Sequence, residues 1–201
     1  MPQHRIDSRD LILVDCDGVL LNWEYAFAVW MEAHGFEKTP GANWIYDIGE
    51  RYGIDRAQSR KLVKIFNESA AIGFLPALRD AVYYVKRLHE EHGFRFHCIT
   101  SLSQDRNAAK LREMNLAKLF GDQVFEHIEC LDTGADKDSA LEPYRDSGCW
   151  WIEDKPANAE TGARMGLRPI LMEHGHNMDH ECPWPLVKNW REIYDLIVVQ
   201  S

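Results

Sequence analysis

The sequence predicts an α/β fold with a parallel sheet at its core and a small helical segment inserted after the first strand. Apolar runs of strand length alternate with stretches of helical periodicity, a pattern typical of strands joined by crossover helices. The first apolar run, Leu11–Val14, has no polar alternation, as expected for a strand buried on both faces. Residues 23–73, which separate it from the next crossover helix, are far more than one simple connection needs.

The strands and helices follow one another along the chain. Five apolar runs are predicted strands: Leu11–Val14, Phe94–Thr100, Ile128–Leu131, Trp150–Glu153 and Pro169–Met172. Five stretches with apolar residues at helical spacing are predicted helices: Ala77–His92, Ser103–Leu119, Ser139–Asp146, Asn158–Met165 and Leu186–Ile197. This alternation indicates a Rossmann-like parallel sheet.

The segment after the first strand is predicted to form a helical cap. Helical patterns cover Trp23–His34 and Asp55–Ala70, and an irregular connection joins them. An insertion at this point hangs over the carboxyl end of the sheet, where it can exclude water and select the substrate. We therefore predict a core of residues 1–21 and 74–201 and a cap of residues 22–73.

The composition is that of a folded globular protein. The chain has 201 residues, of which 45% are hydrophobic and 27% charged, enough for one sizeable core. A net charge of −9 argues against a nucleic-acid polymer as partner, because such partners need a basic surface. The chain start lacks the apolar region of a signal peptide, and no apolar run is long enough to span a membrane. We therefore expect a cytoplasmic protein without a membrane partner, and the sequence leaves a homodimer open.

Polar side chains lie at four positions, each at or after the end of a predicted strand. They are Asp15 and Asp17 after the first strand, Thr100 and Ser101 after the second, Lys137 after the third, and Glu153 and Asp154 at the end of the fourth. Carboxyl ends of parallel strands meet at one edge of a sheet, where ligands bind. Neighbouring carboxylates are costly to bury unless a cation compensates them. Carboxylates, a hydroxyl and a lysine at one edge are the groups that phosphoryl transfer needs.

These motifs resemble the haloacid-dehalogenase (HAD) superfamily of phosphatases. The family has Asp-x-Asp-Gly, then a Thr or Ser, then a Lys, then an acidic pair, and this chain has all four in that order. The resemblance implies a Mg²⁺-dependent hydrolase of a small phosphomonoester. Asp15 would be the nucleophile that forms an aspartyl-phosphate, and Asp17 would be the acid and base.

The resemblance also implies how the metal and the phosphate are held. Mg²⁺ would be bound by Asp15, by the backbone carbonyl of Asp17 and by Asp154, with Glu153 behind these ligands. The phosphate would be held by Thr100, by the backbone of Ser101 and by Lys137, for which Lys155 is a weaker alternative.

A narrower resemblance is to the 5'(3')-deoxyribonucleotidase family. It depends on Asp17–Leu20 leading to Trp23, on Cys98–Ser101, on Gly73–Pro76 and on the late pair His176-Asn177. The acidic pair departs from that family, because it is Glu-Asp where the family usually has Asp-Asp. The resemblance implies a nucleoside monophosphate as substrate, with the base held between aromatic side chains of the cap. The candidates are Trp23, Trp44, Tyr46 and Phe74.

Two other functions stay open from the sequence. One is a phosphatase or mutase of a sugar phosphate or another small metabolite, because a mutase shares the Asp-x-Asp pattern. The other is a non-catalytic protein that binds a phosphate ligand. A further cluster contains His174, His176, His180 and Cys182. Its spacing matches no common zinc pattern, so we expect a solvated loop near the rim of the active site.

Overall fold

A six-stranded parallel sheet forms the centre of the computed structural model, which describes residues 10–42, 45 and 47–200, without the side chain of Gln200. The strands are β1 (Leu11–Val14), β2 (Arg95–Ser101), β3 (Phe125–Leu131), β4 (Trp150–Glu153), β5 (Arg168–Met172) and β6 (Leu186–Val187). Their order is β3-β2-β1-β4-β5-β6, and every pairing is parallel. The predicted α/β fold with a Rossmann-like parallel sheet is confirmed.

Eight α-helices lie within the described residues. They are α1 (Trp23–Ala33), α2 (Ile48–Tyr52), α3 (Arg56–Asn67), α4 (Ala81–His92), α5 (Arg106–Phe120), α6 (Asp138–Leu141), α7 (Pro156–Arg164) and α8 (Trp190–Gln200). Short 3₁₀ turns cover Ala70–Phe74 and Glu142–Tyr144. Among the described residues, none of these helices combines the length and apolar character needed to cross a lipid bilayer.

The carboxyl-terminal helix begins later than predicted. A helix was expected from Leu186, but Leu186–Val187 is strand β6, which pairs with the end of β5. The backbone N–H of Glu173 donates to the carbonyl of Val187 over 2.7 Å. Helix α8 starts only at Trp190, whose N–H donates to the carboxylate of Asp80 over 2.9 Å. A strand of two residues is too short to show a periodicity of its own, so the sequence pattern missed it.

Strand β1 is buried on both faces of the sheet, as its apolar run predicts. Ile12 and Val14 belong to one apolar cluster, and Leu11 and Leu13 belong to another on the opposite face. All four side chains are at most 2% exposed. The strand at the centre of the sheet therefore carries the loop that follows it on a rigid base.

The inserted helices α1–α3 join the sheet through two neighbouring connections. The N–H of Leu78 donates to the carbonyl of Leu20 over 2.8 Å, and the N–H of Asn22 donates to the carbonyl of Pro76 over 2.9 Å. We call residues 20–22 and 76–78 the junction. It lies near the predicted boundaries at 21/22 and 73/74, and the division into core and cap stays a prediction.

Candidate active site

A cavity of about 970 Å³ lies where the carboxyl end of the sheet meets the inserted helices. Its sheet side includes Asp15, Asp17, Thr100, Ser101, Lys137 and Asp154. Its other side includes Trp23 from α1 and a face of α3, and the loop after β5 contributes His174 and His176. Residues of all four predicted motifs therefore line one cavity.

Lys137 lies buried between two carboxylates. Its Nζ is 2.8 Å from Oδ1 of Asp15 and donates a 2.7 Å hydrogen bond to Oε1 of Glu153. Burial lowers the pKa of Lys137, but the two carboxylates outweigh that effect, so its pKa lies above the usual value. The ammonium group beside Asp15 therefore keeps its positive charge, which suits it to a transferring phosphoryl group.

Glu153 is fully buried and accepts four hydrogen bonds. Oε1 accepts from Nζ of Lys137 and from Nδ2 of Asn158, over 2.7 and 2.6 Å. Oε2 accepts from the backbone N–H groups of Asp154 and Lys155, over 2.6 and 2.7 Å. Burial raises the pKa of Glu153, but Lys137 outweighs it, so the pKa lies below its usual value. With both oxygens occupied, Glu153 fixes Lys137 and the loop that carries Asp154.

Asp15, Glu153 and Asp154 form a group of acids that a metal ion would fit. One carboxylate oxygen from each lies within 4.8 Å of the others. Burial raises the pKa of Asp15 to about 7 and holds that of Asp154 well above its usual value; the neighbouring carboxylates add to this effect, and Lys137 opposes it. Since Glu153 uses both of its oxygens within the protein, Asp15 and Asp154 are the better candidates for metal ligands. Hard cations such as Mg²⁺ prefer these oxygen ligands.

Gly18 allows Asp154 to approach the loop after β1. A Cβ atom at Gly18 would lie 2.3 Å from Oδ2 of Asp154, and the glycine has a positive φ of 80°. Any other residue at this position would push the carboxylate away from Asp15 or strain the turn. The glycine of the Asp-x-Asp-Gly motif thus serves the geometry of the acidic group.

Thr100 has a buried hydroxyl without a partner in the described part of the chain. The residue is 0% exposed, and its Oγ1 makes no hydrogen bond there. The hydroxyl of the next residue, Ser101, donates to the carbonyl of Ala135 over 2.8 Å. Leaving a buried polar group unpaired costs about 1–3 kcal/mol, so the Thr100 hydroxyl points to a ligand that enters the cavity.

Arg112 of α5 is a functional candidate that sequence reasoning missed. Its Nη1 and Nη2 donate to Oδ1 and Oδ2 of Asp17, over 2.6 and 3.0 Å. The buried positions of α5 recur at helical spacing and include Ala108, Arg112, Asn115, Leu116 and Phe120. An arginine on an otherwise inward-facing stripe was the signal that could have revealed it.

The loop after β5 packs on the acidic group. The ring of His174 donates from Nε2 to the carbonyl of Gly18 over 2.6 Å, and Nε2 of His176 lies 3.2 Å from the carbonyl of Asp154. His180 and Cys182 do not line the cavity. Among the described residues, the group with metal-ligand spacing is the acidic one, and this loop contributes no side chain to it.

The aromatic candidates separate into different places. Trp23 lines the cavity, stacks on Phe27 with ring centroids 4.6 Å apart, and donates from Nε1 to Asn67. Trp44 and Tyr46 lie outside the described residues.

Phe74 does not line the cavity, so its position does not support the predicted contact with a base. Its ring is 67% exposed and lies beside Lys118. In the same 3₁₀ turn, Gly73 fits so closely against Leu111 and Met114 that a Cβ there would be about 3 Å from them.

Solved structures similar to this chain identify the fold. A haloacid dehalogenase-like hydrolase of Streptococcus pneumoniae covers 96% of this chain and 100% of its own, with a TM-score of 0.65 and 13% identity. L-2-haloacid dehalogenase of Xanthobacter autotrophicus covers 96% and 99%, with a TM-score of 0.61 and 10% identity. CbbY of Rhodobacter sphaeroides in complex with xylulose-(1,5)bisphosphate covers 91% and 95%, with a TM-score of 0.58 and 17% identity. The chain therefore has the haloacid-dehalogenase-like fold.

Sequence comparisons match a smaller part of the chain than the structural comparisons do. No family model matches the sequence. An uncharacterized 32.4 kDa protein from the Gp30-rIII intergenic region of Enterobacteria phage T4 is 27% identical over 124 residues. The match covers 59% of this chain and 44% of the phage protein, so it spans less than half of that relative.

Proposed function

We propose that the protein is a Mg²⁺-dependent phosphomonoester hydrolase that acts through an aspartyl-phosphate on Asp15. One observation carries the proposal. Asp15 is held 2.8 Å from a buried lysine at the edge of a cavity that also contains Asp154 and a Thr100 hydroxyl with no partner among the described residues. A nucleophile, a fixed cation, a metal-binding acid and a free hydroxyl are the parts of a phosphoryl-transfer site.

The residues divide the reaction into two steps. A carboxylate oxygen of Asp15 attacks phosphorus, the bond to the leaving oxygen breaks, and Asp17 gives that oxygen a proton. Asp17 then takes a proton from water, whose oxygen attacks the aspartyl-phosphate and releases Asp15 and inorganic phosphate. Lys137 and Thr100 hold the phosphoryl oxygens in both steps. Mg²⁺ bound by Asp15 and Asp154 would offset the negative charge of the phosphate.

Phosphate release from an aryl phosphate, with and without Mg²⁺, tests the proposal. Asp15→Asn should abolish turnover, because an amide keeps the shape of the side chain and cannot attack phosphorus. Asp122→Asn is the matched control, since Asp122 is exposed and does not line the cavity. Turnover by a folded Asp15→Asn protein at the wild-type rate would refute the assignment. Phosphate binding without any turnover by the wild type would favour the non-catalytic alternative.

For the substrate, we propose a nucleoside monophosphate. Trp23 supports this choice, because it lines the same cavity as Asp15 and follows it closely in the chain. The cavity of about 970 Å³ is far larger than a phosphate group and lies in the range of sites for small ligands, about 300–1,000 Å³. A panel of nucleoside and deoxynucleoside monophosphates, with glucose 6-phosphate as a reference, tests the choice. A strong preference for the sugar phosphate would contradict it.

A row of cations on α3 favours a second candidate, a sugar phosphate or similar metabolite with another anionic group. Arg56, Arg60 and Lys64 line the cavity. Lys64 is paired with Glu68, whereas the guanidinium groups of Arg56 and Arg60 have no hydrogen bond or ion pair with a described residue.

Comparing fructose 6-phosphate with fructose 1,6-bisphosphate, and adenosine 5'-monophosphate with adenosine 3',5'-bisphosphate, tests this candidate on two skeletons. A higher kcat/KM for the bisphosphate in either pair would favour it. A mutase would instead release little free phosphate and would need a bisphosphate activator.

A further inference from the structure

Arg112 is a charged side chain in an unusual place. It is 0% exposed and ranks among the largest fully buried side chains of the described residues. Arginine is almost never fully buried unless it is paired. Within the described part of the chain its carboxylate partner is Asp17 alone, which both arms of the guanidinium contact. The burial of this cation is therefore tied to one carboxylate.

The guanidinium group is anchored to a helix that is itself fixed. Nη1 of Arg112 also lies 2.6 Å from Sγ of Cys16. One turn further along α5, Asn115 accepts from the N–H of Leu75 and donates to its carbonyl, over 3.0 and 3.1 Å. Helix α5 is therefore hydrogen-bonded to Leu75, in the segment that follows the inserted helices. From this fixed helix, Arg112 contacts the loop after β1.

We propose that Arg112 is the positioning residue of the acid and base, and that it aims the carboxylate of Asp17 at the leaving oxygen. The inference depends on the proposed role of Asp17. Two parallel hydrogen bonds fix both the plane and the direction of a carboxylate. Each oxygen keeps a further lone pair with which it can exchange a proton with the substrate. Proton transfer needs this oxygen within hydrogen-bond reach of the leaving group, so a carboxylate free to rotate would be less effective.

The inference distinguishes between leaving groups. A strongly basic leaving oxygen needs a proton from Asp17, whereas a weakly basic one departs without it. Phenyl phosphate and 4-nitrophenyl phosphate differ in this respect and are otherwise closely matched. If the carboxylate of Asp17 is no longer oriented toward the leaving oxygen, hydrolysis of phenyl phosphate should slow far more than hydrolysis of 4-nitrophenyl phosphate.

The experiment is a double-mutant cycle with Arg112→Gln and Asp17→Asn, measured as kcat and KM on both esters with Mg²⁺ present. Arg112→Gln should lower kcat for phenyl phosphate about 30- to 100-fold, within the range of general acid–base effects. It should lower kcat for 4-nitrophenyl phosphate less than about 3-fold and leave both KM values near wild type. In the Asp17→Asn background the same change should have almost no further effect, because the two residues act as one unit.

Two more variants separate positioning from folding. Arg112→Lys keeps the buried charge but loses the two parallel hydrogen bonds of the guanidinium group. It should therefore fold, with an intermediate loss of kcat for phenyl phosphate. It also serves if Arg112→Gln does not fold. Asn115→Leu removes another buried polar contact of α5 and should affect both esters equally. Its thermal midpoint sets the scale for a purely structural change.

Each outcome decides the question. Equal losses on both esters, effects that multiply in the double mutant, or faster turnover in the Arg112 variants would overturn the positioning role. A wild-type protein without phosphatase activity would instead refute the proposed function, before any Arg112 variant is compared.

Discussion

The cavity has two walls, which differ in how their charged groups are paired. The sheet wall contains the residues at the carboxyl ends of the strands, among them Asp15, Lys137 and Asp154, and the α3 wall contains Arg56, Arg60 and Lys64. On the sheet wall, Lys137 lies between Asp15 and Glu153, and Glu153 accepts from four donors. On the α3 wall, the guanidinium groups of Arg56 and Arg60 have no partner among the described residues. The geometry of the sheet wall is therefore set by contacts within the protein, whereas the two arginines of the α3 wall are available to a ligand.

This difference separates two kinds of residue. A buried and fully paired charge cannot be removed without leaving its partners unpaired, so a substitution on the sheet wall should affect both chemistry and stability. An exposed and unpaired arginine supports no internal contact, so a substitution on the α3 wall should affect only the choice of substrate. Variants on both walls can test this difference.

Removing divalent metal should have the largest effect, because it acts at the centre of the sheet wall. Asp15 is buried and Asp154 is half-buried beside it, and desolvation raises the pKa of each. We expect chelation to reduce phosphate release to background, and Mg²⁺ to restore it better than Ca²⁺, whose larger coordination sphere misplaces the ligands. Mg²⁺ should also raise the thermal midpoint of the wild type but not of Asp154→Asn. Full activity after exhaustive chelation would contradict the metal role.

Lys137→Met should come next in size. It removes the cation beside Asp15, so we expect kcat/KM to fall about 10²- to 10³-fold. It also leaves Glu153 and Asp15 buried without their cation, which should lower the free energy of unfolding by about 3–5 kcal/mol. Urea unfolding and phosphate release measure the two effects. Lys155→Met is the control, because Lys155 lines the cavity and makes no ion pair with a described residue. Similar stability losses in both variants would show that pairing of the charge does not decide its effect on stability.

Trp23→Ala should have an intermediate effect that depends on the substrate. Stacking on a base is worth about 1–3 kcal/mol, so kcat/KM for a nucleoside monophosphate should fall about 10- to 100-fold. Hydrolysis of phenyl phosphate should change much less. Trp23→Phe keeps an aromatic face but loses the bond to Asn67, and should retain most of the activity. A uniform loss on both substrates would mean that Trp23 serves only to pack on Phe27.

Arg60→Gln should have the smallest effect, confined to substrates with a second anionic group. An exposed ion pair is worth about 0.2–1 kcal/mol, so kcat/KM for such a substrate should fall only about 2- to 5-fold. Singly charged esters and the thermal midpoint should not change. Arg164→Gln on α7 is the control, since Arg164 does not line the cavity. Loss of stability in Arg60→Gln would show that α3 uses this charge internally.

The sequence predicted the sheet wall better than the rest of the cavity. Residues that follow neighbouring parallel strands must meet at one edge, so Asp15, Thr100, Lys137 and Asp154 could be placed together without coordinates. Arg112 could not, because its contact with Asp17 depends on how α5 packs against the sheet.

The inserted helices also show what could not be predicted from the sequence. Phe74 was expected to face a base, but it is largely exposed and does not line the cavity, while its neighbour Gly73 packs closely on α5. An aromatic residue signals burial or binding by its type alone, and only packing determines which of its surroundings it faces.

The junction constrains how the cavity could open. Its two segments, residues 20–22 and 76–78, are joined by backbone hydrogen bonds and so form a short ribbon. A single connection could swivel in any direction, but a ribbon bends easily only about an axis across both segments. Any hinge motion of α1–α3 would therefore be restricted to a narrow arc. That arc would carry Trp23, which directly follows the junction, toward or away from Asp15.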